Sequence, residues 1–228
     1  MNILKKIIFG SVLSLSSLVF AEVSLSGNVG LTSDYIWRGQ SQNNNSMAVQ
    51  GGIDYAHENS GINLGTWVSS LNSGSEVDFY GGYNLNLFAN ISSSLGAVFY
   101  HYPKSGLSDT IEYFIGFNFM EDFDLKINYI DDYFGSTSSS WFFEFSKTIS
   151  LNPTEGLFLK ISAGFTTFEK QVLVGSNDYM AYGVELKKIY NSFEIFVKWS
   201  DTDRDLFDGT IRTNAHDNSY LMGVMRSF

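Results

Sequence analysis

The chain has 228 residues, a formal net charge of −10 and no cysteine. The negative charge argues against nucleic acid as a partner, because phosphates are bound by basic surfaces. The lack of cysteine excludes disulfides and thiolate metal sites. Beyond the N-terminal segment, no apolar run approaches the roughly 20 residues that a transmembrane helix needs. If this protein crosses a membrane, we expect it to do so with strands.

The N-terminus, MNILKKIIFGSVLSLSSLVFA, has the features of a secretory signal peptide. The basic residues Lys5 and Lys6 precede a short apolar stretch that ends in a small-residue cleavage site at Ala21. We therefore predict a cleaved signal peptide over residues 1–21 and one domain over residues 22–228. The alternative is an uncleaved anchor helix, for which the apolar stretch is short.

The remainder of the sequence repeats one pattern, in which apolar and polar residues alternate with a period of two. Such alternation indicates strands with one apolar face. The successive apolar series begin at Val23, Met47, Ile62, Val77, Ile91, Ile111, Phe123, Trp141, Leu157, Met180, Phe193 and Tyr220. The connections alternate between mostly long and mostly short, as loops and turns of outer-membrane barrels do. The sequence predicts an all-β, antiparallel up-and-down transmembrane barrel of about 12 strands with periplasmic termini.

Charged residues occupy the other register of these strands. They are Asp54, Glu76, Asp78, Glu112, Asp124, Lys126, Glu144, Lys160, Glu185, Glu194 and Lys198. A lysine or arginine that faces lipid at the midplane costs about 2–4 kcal/mol, so these charges indicate a water-filled lumen. Lipocalin-type soluble barrels have mostly apolar interiors and are therefore excluded. In the apolar register, Lys147, Lys188 and Arg226 lie near strand ends, where long cationic side chains can reach the interface.

The stretch LTSDYIWRGQ reads as a continuation of the first strand. In that register Asp34, Arg38 and Gln40 face the lumen, and Tyr35 and Trp37 join a lipid-interface girdle. Asp34 and Arg38 would lie roughly 13 Å apart and could not pair with each other.

We expect Arg38 to meet a neighbour on the lumen wall, for example Gln50 or Asp54. The charges then either brace the barrel mouth as a wall salt bridge or form a charged constriction that contacts solutes. Phe99 and Trp199 are predicted to lie in the interface girdle near the loop side.

The segments NVGLTSDYIWRGQSQ and AVQGGIDYAHENSGINLGTWVSS resemble the TorF porin family, also called Gcw_chp. The matching pattern is L-T-S-D-Y, then R-G-x-S-Q, then Q-G-G-x-D-Y, over Leu31–Tyr35, Arg38–Gln42 and Gln50–Tyr55. The resemblance is specific over residues 23–70, and beyond them it is carried by the hairpin rhythm and the terminal Phe228. It implies a bacterial outer-membrane barrel that acts as a porin.

Two weaker motifs lie outside the strands. Asp201, Asp203 and Asp205 begin like a calcium loop, but Leu206 stands where that loop needs glycine. We interpret this segment as an acidic solvated loop, with a cation site as the alternative.

The histidines, His57, His101 and His216, are scattered over connections, and His216 beside Asp217 leaves a surface hydrolase as a weaker alternative. No phosphate loop, HExxH motif or nucleophile elbow is present in the sequence. We therefore predict no enzyme activity, catalytic residues, cofactor or metal site.

These features together predict an outer-membrane porin for passive diffusion of small hydrophilic solutes. Acidic residues outnumber basic ones in the predicted lumen, which favours neutral or cationic solutes. Charge reversal at Asp78 and Glu112 should weaken this preference. Outer-membrane lipid and, through Phe228, the barrel assembly machinery are the expected partners, and the oligomeric state stays open. The rival is a non-conducting barrel whose extracellular loops bind a partner or serve a structural role, with residues 201–218 as the candidate plug of its lumen.

Overall fold

The computed structural model describes residues 23–170, 178–203 and 219–228 and consists of a closed antiparallel barrel. Its strands are β1 (Val23–Thr32), β2 (Ile36–Trp37), β3 (Gln40–Ser41), β4 (Ala48–His57), β5 (Ile62–Ser70), β6 (Ser75–Phe88), β7 (Ile91–His101), β8 (Thr110–Phe119), β9 (Phe123–Ile130), β10 (Ser140–Asn152), β11 (Leu157–Phe168), β12 (Tyr179–Tyr190), β13 (Phe193–Thr202) and β14 (Ser219–Ser227). All except β2 and β3 belong to the barrel wall, where neighbours in sequence pair and β1 closes on β14. The predicted 12-stranded up-and-down barrel is confirmed.

The outer surface of the barrel is apolar, as the alternating register predicted. Leu25, at 72% exposure, is typical of the large aliphatic and aromatic side chains that point outward from the wall. The outward Lys147 lies opposite Phe123, and its ammonium is 4.5 Å from the centre of that ring. Arg226 likewise lies opposite Phe193, so both cations sit beside rings at one rim of the barrel. This surface matches a hydrocarbon environment bounded by polar interfaces.

The two rims of the barrel differ in their connections. One rim carries the short turns at residues 58–61, 89–90, 120–122, 153–156 and 191–192, and the other carries longer segments that include 33–47, 102–109 and 131–139. Val23 pairs with His57 and Arg226 pairs with Phe193, so both described ends of the chain lie at the short-turn rim. The predicted signal peptide and most of the segment 201–218 lie outside the described residues.

Over residues 23–170, 178–203 and 219–228, the structure contains no helix that is both long enough and apolar enough to cross a membrane.

Candidate functional site

The connection between β1 and β4 folds into the barrel instead of extending the first strand. The strand ends at Thr32, and β2 and β3 form a small hairpin inside the lumen, in which Trp37 pairs with Gln40. Arg38 and Gly39 make its two-residue turn with φ of 50° and 82°. Two positive φ values are the mark of a type I′ turn, which favours glycine at its second position. The predicted continuation of β1 past Leu31 is therefore wrong, and we call residues 35–42, which contain β2 and β3, the inserted hairpin.

The stem of the inserted hairpin is organised by Asp34. Its carboxylate accepts hydrogen bonds from the Tyr35 backbone N–H at 2.7 Å and from the Ser41 hydroxyl at 2.8 Å. The Thr32 hydroxyl donates to the Asp34 carbonyl at 2.8 Å. Burial raises the pKa of Asp34 above its ordinary value, although both donors to the carboxylate act to lower it. Asp34 thus lies inside the barrel, as predicted, but as a loop anchor.

One side of the inserted hairpin is fixed to acidic residues of the wall. The Tyr35 hydroxyl donates to Glu76 at 2.8 Å, and the Arg38 guanidinium forms an ion pair with Glu112. The side chains of Arg38 and Glu112 are only 5% and 2% exposed, so this is a buried ion pair. Asn128 also donates to Glu112. Removal of either side chain would destabilise the fold, because the charge of the other would stay buried without a partner.

Tyr35 and Trp37 therefore point inward, and their predicted place in the lipid-interface girdle is wrong. Both belong to the connection that turns back at Gly39, so the outward register of β1 no longer applies to them. Phe99 is exposed on the outer surface, in agreement with the girdle prediction. Trp199 pairs with the exposed Tyr220 on the same face.

Arg38 has a different partner from the ones expected. Gln50 donates instead to the Ser69 hydroxyl at 3.4 Å, and Asp54 accepts a hydrogen bond from the Tyr80 hydroxyl. The prediction of Gln50 or Asp54 is wrong because the hairpin carries Arg38 away from β4 and across the lumen to Glu112 on β8.

Aromatic rings enclose the Arg38 guanidinium and join the hairpin to a second loop. The guanidinium carbon lies 4.1 Å from the Trp37 ring centre and 4.4 Å from the Phe142 ring centre. These distances are within the range of cation–π attraction. Trp37 also packs edge-on against Tyr100 and Phe134, at 6.4 and 5.7 Å between ring centres. Because Phe134 belongs to the connection 131–139, the two loops support each other inside the barrel mouth.

The tip of the inserted hairpin reaches the opposite wall. A Cβ atom at Gly39 would lie 2.5 Å from the Thr202 methyl carbon and 3.0 Å from the Ala181 side chain. The Gln40 amide donates to the Tyr179 hydroxyl at 2.6 Å. The hairpin therefore spans the lumen from β6–β8 to β12–β13 and narrows it.

Two halves of the lumen wall carry different charges. Strands β4–β8, all within the described residues, contain Asp54, Glu76, Asp78 and Glu112 but no lysine or arginine; we call them the acidic wall. Strands β9–β13, the mixed wall, alternate the two signs between neighbouring strands. Lys126 pairs in register with Glu144, and Glu185 lies between Lys160 and Lys198. Lys187, which the sequence reading did not include, lies 3.2 Å from Glu194 and 3.4 Å from Glu185.

A side cavity remains between the inserted hairpin and the mixed wall. Its lining includes Arg38, Gly39, Phe142, Glu144, Lys198 and Ser200, together with glycines of β11 and β12. Asp78 and Glu112 are absent from this lining and lie on the acidic wall, which the hairpin covers. Of the predicted lumen residues, Arg38, Glu144 and Lys198 line this cavity, whereas Asp34, Gln40, Asp78 and Glu112 are buried.

The histidines within the described residues do not form a site. His57 ends β4 at the short-turn rim, and His101 ends β7 at the other rim, so both belong to strand ends rather than connections. His101 lies 2.8 Å from Asp109, and both side chains are exposed. Across the described part of the chain, no group of three or more His, Cys, Asp or Glu side chains is placed to hold a metal ion. His216 lies outside the described residues.

Comparison with protein families identifies the chain. The model described as "Bacterial protein of unknown function (Gcw_chp)" matches residues 20–228. The chain belongs to the Gcw_chp family. No curated protein matches it.

This Gcw_chp chain has the fold of known porins. It is similar to the NanC porin, with a TM-score of 0.60 and 13% identity over 89% of this chain and 99% of that one. It is also similar to the KdgM porin, with a TM-score of 0.57 and 12% identity over 89% of this chain and 99% of that one. At such identities the likeness establishes the barrel architecture.

Proposed function

We propose that this Gcw_chp protein is an outer-membrane porin through which small hydrophilic solutes diffuse passively. The observation that carries this proposal is the combination of an apolar outer surface with a lumen lined by charged side chains. Such a barrel is stable where lipid surrounds it and water fills it. The porin fold of NanC and KdgM supports the same conclusion.

The inserted hairpin makes this pore a narrow one. Twelve strands enclose a lumen between those of side-chain-filled eight-stranded barrels and open 16-stranded porins. The hairpin contacts both the acidic wall and the mixed wall, so passage is directed through the side cavity. We expect neutral and cationic solutes to pass, with small size as the main requirement and only a weak preference for cations, because most carboxylates of the acidic wall are buried.

Location and assembly follow from the same proposal. The TorF-like motifs and the predicted signal peptide over residues 1–21 support export, cleavage and an outer-membrane location with periplasmic termini. Phe228 exchanges backbone hydrogen bonds with Gly27 at 2.9 and 3.0 Å, and the residue is 67% exposed. This outward terminal ring supports recognition by the barrel assembly machinery.

A non-conducting barrel is the second candidate, and the inserted hairpin is the observation that favours it. Buried contacts such as Arg38–Glu112 hold the hairpin across the lumen. In that case the loops at the longer rim would bind a partner or serve a structural role. In this candidate the inserted hairpin is the plug, because it contacts both the acidic wall and the mixed wall. The sequence-based candidate plug, residues 201–218, lies mostly outside the described residues.

Single-channel recording of the refolded mature chain in a planar bilayer tests the proposal. We expect discrete small conductance steps, and a salt gradient should give a reversal potential of weak cation preference. A folded, heat-modifiable barrel that remains electrically silent would contradict the porin and favour the plugged barrel.

A further inference from the structure

The side cavity presents two accessible charges of opposite sign. Lys198 and Glu144 both line it and are partly exposed, whereas the Arg38 side chain is covered by Trp37 and Phe142. A solute in the cavity can therefore reach an ammonium group and a carboxylate, whereas Arg38, which also borders the cavity, is only 5% exposed and already paired with Glu112. Ser200 adds a hydroxyl group to the same lining.

The surrounding mixed wall keeps both charges in place. Glu185 lies directly opposite Lys198 on the neighbouring strand. Lys126 lies opposite Glu144 on the neighbouring strand. Each charge in the cavity is thus backed by one of opposite sign, so the wall has alternating sign without a large net charge.

Alternating charges select solutes by their internal charge distribution. A ring of one sign concentrates the opposite ion, but adjacent opposite charges attract a solute that carries both signs. A carboxylate can pair with Lys198 while an ammonium group pairs with Glu144, and each replaces water that the solute lost on entry. An uncharged solute of the same size gains neither interaction.

We propose that Lys198 and Glu144 form a subsite for small zwitterions, in which one group binds the carboxylate and the other the ammonium of the solute. The solute class is the small α-amino acids and similar molecules with both charges close together. This inference rests on the proposed porin function and specifies its substrate class. It also explains how a neutral solute can be preferred in a lumen with many charges.

Alanine and lactamide provide a matched pair of probes. Both are net neutral and nearly equal in size, but only alanine is a zwitterion. Swelling rates of proteoliposomes that contain the refolded protein should be several-fold higher with alanine than with lactamide. Equal rates for the two solutes would overturn the zwitterion subsite and leave the porin intact. No swelling with either solute would overturn the porin function itself.

Variants test whether the preference for alanine over lactamide depends on Lys198 and Glu144. Lys198→Gln and Glu144→Gln should each lower the alanine-to-lactamide ratio several-fold, and the swap K198E/E144K should restore it because both charges return. Lys188→Gln is the control, since Lys188 pairs with Glu155 outside the cavity lining. Heat-modifiable mobility on gels confirms that each variant is folded, and Lys198→Arg keeps the charge if Lys198→Gln fails to fold. A ratio unchanged in both Gln variants would overturn the assignment.

Discussion

The acidic wall and the mixed wall face each other across one lumen, but the first binds the inserted hairpin and the second borders the side cavity. Glu76, Asp78 and Glu112 of the acidic wall are buried, and two of them bind the inserted hairpin, Glu76 through Tyr35 and Glu112 through Arg38. Charges of the mixed wall remain beside the side cavity. The comparison shows that the net charge of a lumen is not the charge that a passing solute meets. An inserted loop decides which charges are accessible.

The acidic wall tolerates buried carboxylates because the hairpin and its neighbours supply donors. Glu112 receives the Arg38 guanidinium, the Asn128 amide and, at 3.4 Å, the Tyr100 hydroxyl. Charge-assisted hydrogen bonds of this kind offset the cost of removing a carboxylate from water. The acidic wall is therefore an anchor for the hairpin rather than a selectivity filter.

Removal of the inserted hairpin should have the largest effect. Replacement of residues 35–42 by a Gly-Ser linker of equal length should raise single-channel conductance several-fold. Cation preference should rise as well, because Glu76, Asp78 and Glu112 become accessible and Arg38 is lost. The control is a Gly-Ser replacement of residues 104–107, where a Cβ atom added at Gly106 would meet nothing within 4 Å. An unchanged conductance would mean that the hairpin does not narrow the path.

The buried ion pair provides the next test. Arg38→Gln should lower the free energy of unfolding by about 3–5 kcal/mol, because Glu112 would remain buried without its partner. R38Q/E112Q should recover part of that loss, since no charge is then left unpaired. Urea titration of the refolded barrel measures both values.

The exposed pair of Lys188 and Glu155, at 3.8 Å, is the control for this test. Lys188→Gln should change the free energy of unfolding by about 1 kcal/mol or less. Equal effects of the Arg38 and Lys188 variants would contradict a buried anchor.

Gly39→Ala separates backbone strain from contact with the mixed wall. Gly39 and Gly106 both have φ of 82°, but only Gly39 lacks space for a Cβ atom. Alanine in this left-handed conformation costs about 1–2 kcal/mol at either site. Gly39→Ala should cost more than Gly106→Ala in urea titration and should raise conductance, because the clash with Thr202 displaces the hairpin tip. Equal costs and unchanged conductance would place the tip away from β13.

Asp78→Asn tests the covered state of the acidic wall. In the intact barrel we expect almost no change in reversal potential, since the hairpin separates Asp78 from the side cavity. The sequence-based prediction, by contrast, gave Asp78 and Glu112 direct control of cation preference. With residues 35–42 replaced, the same substitution should reduce cation preference clearly. A large shift in the intact barrel would show that solutes reach this wall.

Asp34→Asn should have the smallest effect, and one that depends on pH. Burial raises the Asp34 pKa above its ordinary value of 3.8, so the ionised form is disfavoured in the folded barrel. The penalty is absent below that ordinary value and develops as pH rises through the raised pKa. The stability of the variant relative to wild type should therefore increase from acidic to neutral pH. A difference in unfolding free energy that is constant with pH would contradict this sign.

Much of the barrel could be predicted from the sequence. A period-two pattern fixes which side chains face outward, and the cost of exposing charge to lipid fixes the opposite face as polar. Asp54, Asp78, Glu112, Lys126, Glu144, Lys160, Glu185 and Lys198 were placed on the inner face by this reasoning alone. The same reasoning placed Lys147 and Arg226 at the rim, where their partner rings lie.

The inserted hairpin was missed because its local pattern imitates a strand. Tyr35 and Trp37 alternate with polar residues in the phase of β1, and the turn signal is only the dipeptide Arg38–Gly39. That dipeptide, flanked by alternating residues, was the available indication of a two-residue hairpin turn. Lys187 was missed although it shares the register of Glu185.

The sequence by itself determined the strand number, the facing of each strand and the apolar surface, because these follow from local alternation and neighbour-to-neighbour pairing. Only the tertiary structure decided that Arg38 binds Glu112, that Gly39 reaches Thr202, and that Lys198 and Glu144 share a cavity. Those contacts join residues far apart in the chain. Closure of the wall brings these residues together across the lumen. No local pattern in the sequence encodes which residues will face each other in this way.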